Sequence, residues 1–265
     1  MTAGPGRFPR SRDVFAVVTA TFLLYVGFTL AFGGSESKPV ILLMEFSLIV
    51  PALLFTLLGH YPFRQVFRLS PVKPGLLAAS VPLGLGVGIL GDELDRMVQS
   101  VVPMPVHILQ ALKEFMTVDG FAEAALVVGM AVIAAGVVEE MLFRGFLQTS
   151  LERSGTPGKA IGATAAVFAF LHFNPWWTFQ IFALGIVLGI LAWRSRSIWP
   201  CVVIHALNNA VSMLFVNLDE SRLQWYVYRD HVSPVCFIAG LILTYAGLRL
   251  FFRLTGPAAG TASDS

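Results

Sequence analysis

The sequence predicts an all-α, polytopic membrane protein, and both its composition and the order of its apolar runs indicate this. Of its 265 residues, 56% are hydrophobic and only 13% are charged, whereas a soluble globular chain carries about a quarter charged residues. A helical span needs about 20 predominantly apolar residues. The chain has apolar runs for about eight transmembrane helices, and we expect one membrane-embedded domain over residues 1–265.

The predicted spans follow these runs in order. They cover residues 14–32, 40–59, 75–92, 121–149, 160–173, 177–193, 198–217 and 232–252. The first span follows several arginines, as a signal peptide would, but its apolar core is longer than the roughly 7–15 residues of a signal peptide. It is therefore predicted to be retained.

The segments between and after the spans give two further expectations. Residues 95–118 form the longest connection, and their apolar side chains after Pro105 fall on one helical face, which favours an amphipathic helix at the membrane surface. Residues 256–265 are small and polar, and they predict a disordered tail.

Basic residues indicate the orientation in the membrane. When the N-terminus is placed inside, most Lys and Arg residues of the connecting segments fall on the cytoplasmic side, so both termini are predicted to be cytoplasmic. A composition rich in Arg, Ala and Gly favours a bacterial inner membrane. Membrane lipid is the expected surrounding partner, and no nucleic-acid partner is expected.

Two adjacent glutamates and an arginine interrupt the fourth predicted span. Glu139, Glu140 and Arg144 lie in an almost wholly apolar stretch, and ionisable groups inside a membrane usually mark a functional site. Glu140 and Arg144 are four residues apart, which favours an ion pair on one helix face; a purely structural clasp would explain this pair equally well. Glu139 points about 100° away, and its freer carboxylate suits a general base.

His172 in the fifth span is predicted to lie level with Glu139. The two residues are almost equally far along the chain from the turn at Gly155–Pro157, and equal helical rise places them at one depth. An interfacial histidine is the alternative, because the tryptophan pair of the Asn174–Trp177 run is typical of the membrane interface.

The seventh span carries His205, Asn208 and Asn209. His205 and Asn209 share a helix face, and they could donate hydrogen bonds to an oxyanion in an acyl-transfer reaction or simply join neighbouring helices by hydrogen bonds. Glu45 in the second span is read mainly as a protonated or hydrogen-bonded structural group, with a place in the cavity lining as the alternative.

Three ordered motifs carry a family resemblance. Glu-Glu-x-x-x-Arg, Phe-x-x-x-His and His-x-x-x-Asn, in this order on the fourth, fifth and seventh spans, resemble the CPBP family of CAAX-type and bacteriocin-processing glutamic intramembrane proteases, also called ABI proteins. The resemblance covers about residues 119–217, which are the predicted catalytic core in helices 4–7.

The resemblance implies an intramembrane endopeptidase that uses neither a metal nor an organic cofactor. It implies that Glu139 and His172 activate a water molecule, and that His205 and Asn209 form the oxyanion hole. By the same resemblance, Glu140 and Arg144 support the site.

The substrate expected from this resemblance is a peptide or protein tail near the membrane. Prenylated C-terminal tails, bacteriocin-type leaders and C-terminal sorting tails, as in a myxosortase-like branch, all fit. Two other functions stay open: a zinc protease, which the absence of a His-Glu-x-x-His helix disfavours, and a non-hydrolytic scaffold or immunity protein.

Overall fold

The computed structural model describes residues 8–32, 38–118, 120–129 and 135–256. Residues 257–265 of the predicted tail, and Asp119 at the start of the predicted core, lie outside these ranges. In the described part the chain is almost entirely helical, as the sequence predicted.

Seven helices precede the glutamate pair in the described part of the chain. They are α1 (Ser11–Phe32), α2 (Lys38–Ser47), α3 (Val50–Leu58), α4 (Phe63–Val66), α5 (Pro74–Val101), α6 (Val106–Met116) and α7 (Gly120–Val127).

The glutamate pair and the remaining polar motifs lie on the elements that follow. These are α8 (Ala135–Glu140), a π-helical segment (Met141–Leu147), α9 (Gln148–Ser154), α10 (Pro157–Phe170), α11 (Thr178–Ser195), α12 (Trp199–Val216), a 3₁₀ turn (Glu220–Leu223), strands β1 (Val227–Tyr228) and β2 (His231–Val232), and α13 (Pro234–Thr255).

Five of the described helices are long and apolar enough to cross a membrane. They are Ser11–Ala31, Pro74–Val101, Thr178–Ser195, Trp199–Val216 and Pro234–Thr255, and a shorter apolar helical stretch covers Leu43–Leu58. The all-α membrane fold is therefore confirmed, whereas the number of eight spans stays a prediction.

Two details differ from the predicted elements. The third predicted span corresponds to α5, which continues to Val101 instead of ending near residue 92. Paired polar side chains extend it: Arg96 Nε donates to Asp92 at 3.0 Å and Gln99 donates to Asp95 at 2.7 Å. The loop before the last helix contains a small antiparallel hairpin, in which β1 pairs with β2. Val232 N donates to Glu93 at 2.8 Å, which anchors this hairpin to α5.

Proline and small residues define the helix starts and contacts around the site. Pro157 stands in the first turn of α10, where its missing N–H costs nothing, and the Thr156 hydroxyl caps that turn. Small residues let helices approach closely: a Cβ on Gly185 of α11 would lie 3.0 Å from the Ala165 Cβ of α10. These contacts hold the motif-bearing helices together.

Candidate active site

The glutamate pair lies at a change in helix type. Glu139 and Glu140 end α8, and the next seven residues form the π-helical segment Met141–Leu147. Such segments occur frequently at functional sites, since their wider turn redirects side chains. Both glutamates are buried, with 8% and 0% of their surface exposed.

Glu140 joins two cationic or potentially cationic side chains through one oxygen. Arg144 Nη1 donates to Glu140 Oε1 at 2.8 Å, and His205 Nδ1 lies 2.9 Å from the same oxygen. All three side chains are almost completely buried. Sequence spacing predicted the contact between Glu140 and Arg144; the contact to His205 depends on how α8 packs against α12.

Besides its bond to Glu140, Arg144 makes two further contacts. Its guanidinium lies over the Phe168 ring, with the Cζ atom 4.1 Å from the ring centroid, a cation–π geometry. Its main-chain carbonyl accepts a hydrogen bond from Arg68 Nη1 at 3.3 Å. Because Arg68 also pairs with Glu152, the π-helical segment is tied to α9 and to the turn after α4.

A glycine allows the turn after α4 to reach this segment. A Cβ on Gly145 would stand 2.8 Å from the Phe67 Cα atom, a distance that no side chain tolerates without a backbone shift. Phe67 and Phe146 are fully buried beside it, with their rings stacked. The close approach therefore brings Arg68 within reach of the Arg144 carbonyl.

Glu139 faces both histidines of the motifs. Its Oε2 atom is 4.0 Å from His172 Nε2 and 3.9 Å from His205 Nε2. These separations are too long for direct hydrogen bonds, and Oε2 has no hydrogen-bond partner among the described residues. An oxygen atom at about 2.8 Å, the usual hydrogen-bond distance, could contact Glu139 and either imidazole at once.

His172 has a fixed tautomer in this arrangement. Its Nδ1 atom lies 2.7 Å from the Phe168 carbonyl oxygen, which can only accept, so Nδ1 carries the proton. Nε2, which faces Glu139, is then a base when the ring is neutral. The His172 side chain is 31% exposed whereas Glu139 is 10% exposed, so the imidazole lies on the open side of the pair. The level position predicted from the hairpin is observed.

At His205 the Nε2 atom would have to donate a hydrogen bond, whereas the Nε2 atom of neutral His172 accepts one. Its Nδ1 atom contacts Glu140, which accepts when ionised, so Nδ1 also carries a proton. Nε2 can then donate towards the reaction space only if the ring is a doubly protonated imidazolium. The carboxylate of Glu140 favours that state by direct hydrogen bonding.

Asn209 lies one turn beyond His205 on the same face of α12. Its neighbour Asn208 is turned towards α5: a Cβ added to Gly88 of α5 would lie 3.6 Å from Asn208 Oδ1. The structure thus places Asn208 beside α5, which the sequence does not indicate. Both are partly buried.

Some neighbours of the site were not predicted. Phe168 carries the Arg144 guanidinium and lies 4.7 Å, centroid to centroid, from the His172 ring. Phe168 is the Phe of the Phe-x-x-x-His motif, and this motif is the sequence feature that could have pointed to its place in the site. Arg68 pairs with Glu152, which lies 84 positions later in the chain. No local sequence pattern predicts such a contact.

Comparison with known proteins identifies the domain around this cluster. Residues 121–211 match the family described as type II CAAX prenyl endopeptidase Rce1-like. The chain carries an Rce1-like protease domain. The match covers roughly a third of the chain and includes all the motif residues. No curated protein and no solved structure gave a significant match.

The Rce1-like match makes the protein a membrane protease, a peptide hydrolase, and confirms the resemblance to the CPBP family. The sorting-tail branch and the roles of individual residues stay predictions. Within the described ranges, no group of three or more His, Cys, Asp or Glu side chains is placed to hold a metal ion.

Proposed function

We propose that this protein is an intramembrane glutamic endopeptidase in which Glu139 and His172 activate the attacking water. The main support is the convergence of two imidazole Nε2 atoms on one carboxylate oxygen, at 4.0 and 3.9 Å. These atoms come from α8, from the turn after α10 and from α12, and each residue belongs to a different motif. A purely structural ion pair would explain Glu140 and Arg144, but it would not explain the position of Glu139.

The first step transfers a proton away from water. Glu139 Oε2 accepts the proton of a water molecule that also donates to His172 Nε2, and the water oxygen attacks the scissile carbonyl carbon. The Phe168 carbonyl holds His172 in the tautomer that this step requires. The proton taken up by the base then passes to the leaving amine, so the base is restored at the end of the cycle.

The second requirement is stabilisation of the tetrahedral oxyanion. We assign this to the His205 Nε2–H and to the Asn209 side-chain amide, which lie on one face of α12. Glu140 keeps His205 doubly protonated, and Arg144 balances the remaining negative charge. The two carboxylates are then matched by one guanidinium and one imidazolium, so the buried cluster is neutral overall before the oxyanion forms.

The substrate that fits this site is a peptide segment at the membrane, in a protein tail or a leader. The family name points to prenylated CAAX tails, whereas the bacterial character of the composition favours leaders or sorting tails. The cleavage chemistry is the same for all three. We infer that an extended chain would approach from the side of His172, whose side chain is 31% exposed.

The asparagine assignment is tested by paired variants. Asn209→Ala is expected to lower kcat by about 10²–10³-fold, the usual cost of losing one oxyanion donor. Asn208→Ala is the matched control, and is expected to stay within about threefold of wild type, since Asn208 faces α5. Cleavage of a reporter substrate in lipid vesicles measures both. Equal losses in the two variants would contradict the assignment.

Metal dependence separates this mechanism from a zinc protease. Activity is expected to survive a membrane-permeant chelator, because the proposed nucleophile is activated by Glu139 and His172 alone. The measurement is cleavage before and after chelation, with metal content determined on the purified protein. Loss of activity that zinc restores would instead indicate a metalloprotease.

A further inference from the structure

Arg68 joins two parts of the site from outside the matched residues 121–211. It is a buried residue in the turn after α4. Its carbonyl accepts a hydrogen bond from the Ile198 amide at 3.0 Å, at the start of α12. Its guanidinium donates to the Arg144 carbonyl and pairs with Glu152, through two different nitrogens. The proposed mechanism gives this arginine no role.

The backbone of Arg68 has a conformation that costs free energy for an arginine. Its φ angle is +51°, in the left-handed region where the Cβ atom comes too close to the following carbonyl oxygen. Glycine adopts such an angle without this cost. The contacts of the arginine offset the cost, whereas a glycine would avoid it and make no side-chain contact.

The π-helical segment redirects the amide that would bond the Arg144 carbonyl in a regular α-helix. There the Gln148 N–H would donate to the carbonyl four residues earlier. In the structure it is directed to the Phe143 and Gly145 carbonyls instead. The Arg68 guanidinium donates to the Arg144 carbonyl from outside the helix, at 3.3 Å. This bond therefore favours the π-helical register over the α-helical one, in which that carbonyl has a donor within the helix.

The register of this segment decides where the Arg144 side chain points. Successive residues turn by about 100° in an α-helix and by less in the wider π-helix, so a return to the α-helical register would rotate Arg144 relative to Glu140. In the observed register Arg144 Nη1 lies 2.8 Å from Glu140 Oε1, and the same oxygen lies 2.9 Å from His205 Nδ1. The Arg68 carbonyl is bonded at the start of the helix that carries His205. Arg68 therefore acts on both partners of the contact between Glu140 and His205.

A buried glutamine supports the ion pair of Arg68. Gln148 Nε2 donates to Glu152 Oε1 at 2.8 Å and to the Gly189 carbonyl of α11 at 2.9 Å. Gln148 is fully buried, and hydrogen bonds to ionised groups are stronger than those between neutral groups. Glu152 is thereby held where it pairs with Arg68, so the guanidinium is fixed from two sides.

We propose that Arg68 is a positioning residue for catalysis, because its guanidinium stabilises the π-helical register of Met141–Leu147. That register holds Arg144 and Glu140 against His205. The inference rests on the proposed function, in which Glu140 keeps His205 able to donate to the oxyanion. It extends the site to the turn after α4, beyond the matched domain.

A double variant separates this role from a contribution to stability alone. Arg68→Gly/Glu152→Gln removes the guanidinium, leaves no unpaired carboxylate, keeps an acceptor for Gln148 and places a glycine where φ is positive. It is expected to melt close to wild type. We expect kcat to fall by about 10–100-fold with KM within about threefold of wild type, because misplacing a catalytic group by 1 Å can cost about 10²-fold.

Arg68→Lys is the milder variant. It keeps a positive charge beside Glu152, but one nitrogen replaces the two that bond Glu152 and the Arg144 carbonyl. We expect wild-type melting and a kcat lowered at least about fivefold, since the position of Arg144 is no longer fixed. If the double variant does not fold, Arg68→Lys decides the question, and wild-type kcat there would overturn the proposal.

Arg64→Ala is the control for losing an arginine near this turn. Arg64 is exposed on α4, one helical turn before Arg68, so both kcat and melting are expected to stay unchanged. Cleavage of a reporter substrate in lipid vesicles gives kcat and KM, and melting in detergent gives the stability. Wild-type kcat in a folded double variant would overturn the proposal. A loss of kcat that appears only together with a lower melting temperature would do so as well.

Hydrogen exchange tests the register without using activity. Peptides that cover residues 141–147 of the protein in lipid are expected to exchange faster in both Arg68 variants than in wild type, because these amides lose the arrangement that protects them. Peptides from α13 serve as the internal control. Unchanged exchange in residues 141–147 would overturn the proposal. If Glu139→Gln still cleaves peptides, the proposed function fails, whereas exchange still decides whether Arg68 maintains the π-helical register.

Discussion

Glu139→Gln is expected to abolish peptide cleavage and leave the protein folded. The substitution keeps the size of the side chain and removes the group that accepts the proton from water. A positioned general base contributes about 10²–10⁴-fold, and we expect a loss at or above the upper part of this range, because Glu139 is the carboxylate whose Oε2 atom lies 4.0 Å from His172 Nε2. Cleavage of a reporter peptide in vesicles and thermal melting in detergent measure the two effects.

Glu114→Gln is the matched control for Glu139→Gln. Glu114 lies exposed on α6, so the same chemical change there is expected to leave both cleavage and melting unchanged. Adding His172→Ala to Glu139→Gln should cause little further loss, because residues that act on one water fail together. Near-normal cleavage by Glu139→Gln would remove Glu139 from the role of base and favour a non-hydrolytic or differently organised site.

The fold class and the motif residues could be predicted from the sequence because they depend on local patterns. Apolar runs predict helices, and the spacing of Glu140 and Arg144 predicts a contact along one helix. The count from the Gly155–Pro157 turn placed Glu139 level with His172, since rise per residue is nearly constant in a regular helix. The short π-helical segment did not disturb this count enough to separate them.

The sequence could not reveal how the motifs meet across helices. The bond between Glu140 and His205 depends on the packing of α8 against α12, and no spacing rule links residues 65 positions apart. The same holds for Arg68, which reaches the Arg144 carbonyl only because Gly145 admits the Phe67 backbone. Glu45 was read mainly as structural, since an isolated acid in an apolar helix gives no direction; that its helix α2 packs against α8 is seen only in the structure.

The end of α5 illustrates a different limit. Hydropathy placed the end near residue 92, where charged residues begin. The helix continues because those charges pair along its own face, as Arg96 does with Asp92. Hydropathy therefore locates the apolar part of a span, whereas the helix end depends on side-chain pairing that it does not measure.

Arg144→Ala is expected to be the most destabilising single substitution at the site. Among the described residues it leaves the fully buried Glu140 carboxylate with only His205 as a partner, and breaking a buried ion pair from one side typically costs about 3–5 kcal/mol. It also removes the guanidinium from the Phe168 ring. We expect a large drop in melting temperature in detergent and a loss of cleavage, because Glu140 loses the guanidinium that fixes its carboxylate, and His205 is then held less firmly.

Two comparison variants identify the cause of that loss. Arg153→Ala is the control for removing an arginine: Arg153 is exposed and lies over the Phe8 ring, so its loss is expected to cost no more than about 1 kcal/mol. The double variant Glu140→Gln/Arg144→Met removes both charges, and it is expected to recover part of the stability lost in Arg144→Ala, because no unpaired carboxylate remains. Its activity should stay low, since the neutral amide no longer favours the His205 imidazolium. If Arg144→Ala melts like wild type, or if the double variant is less stable than Arg144→Ala, then the buried carboxylate is not the source of the instability and the support assigned to Arg144 is wrong.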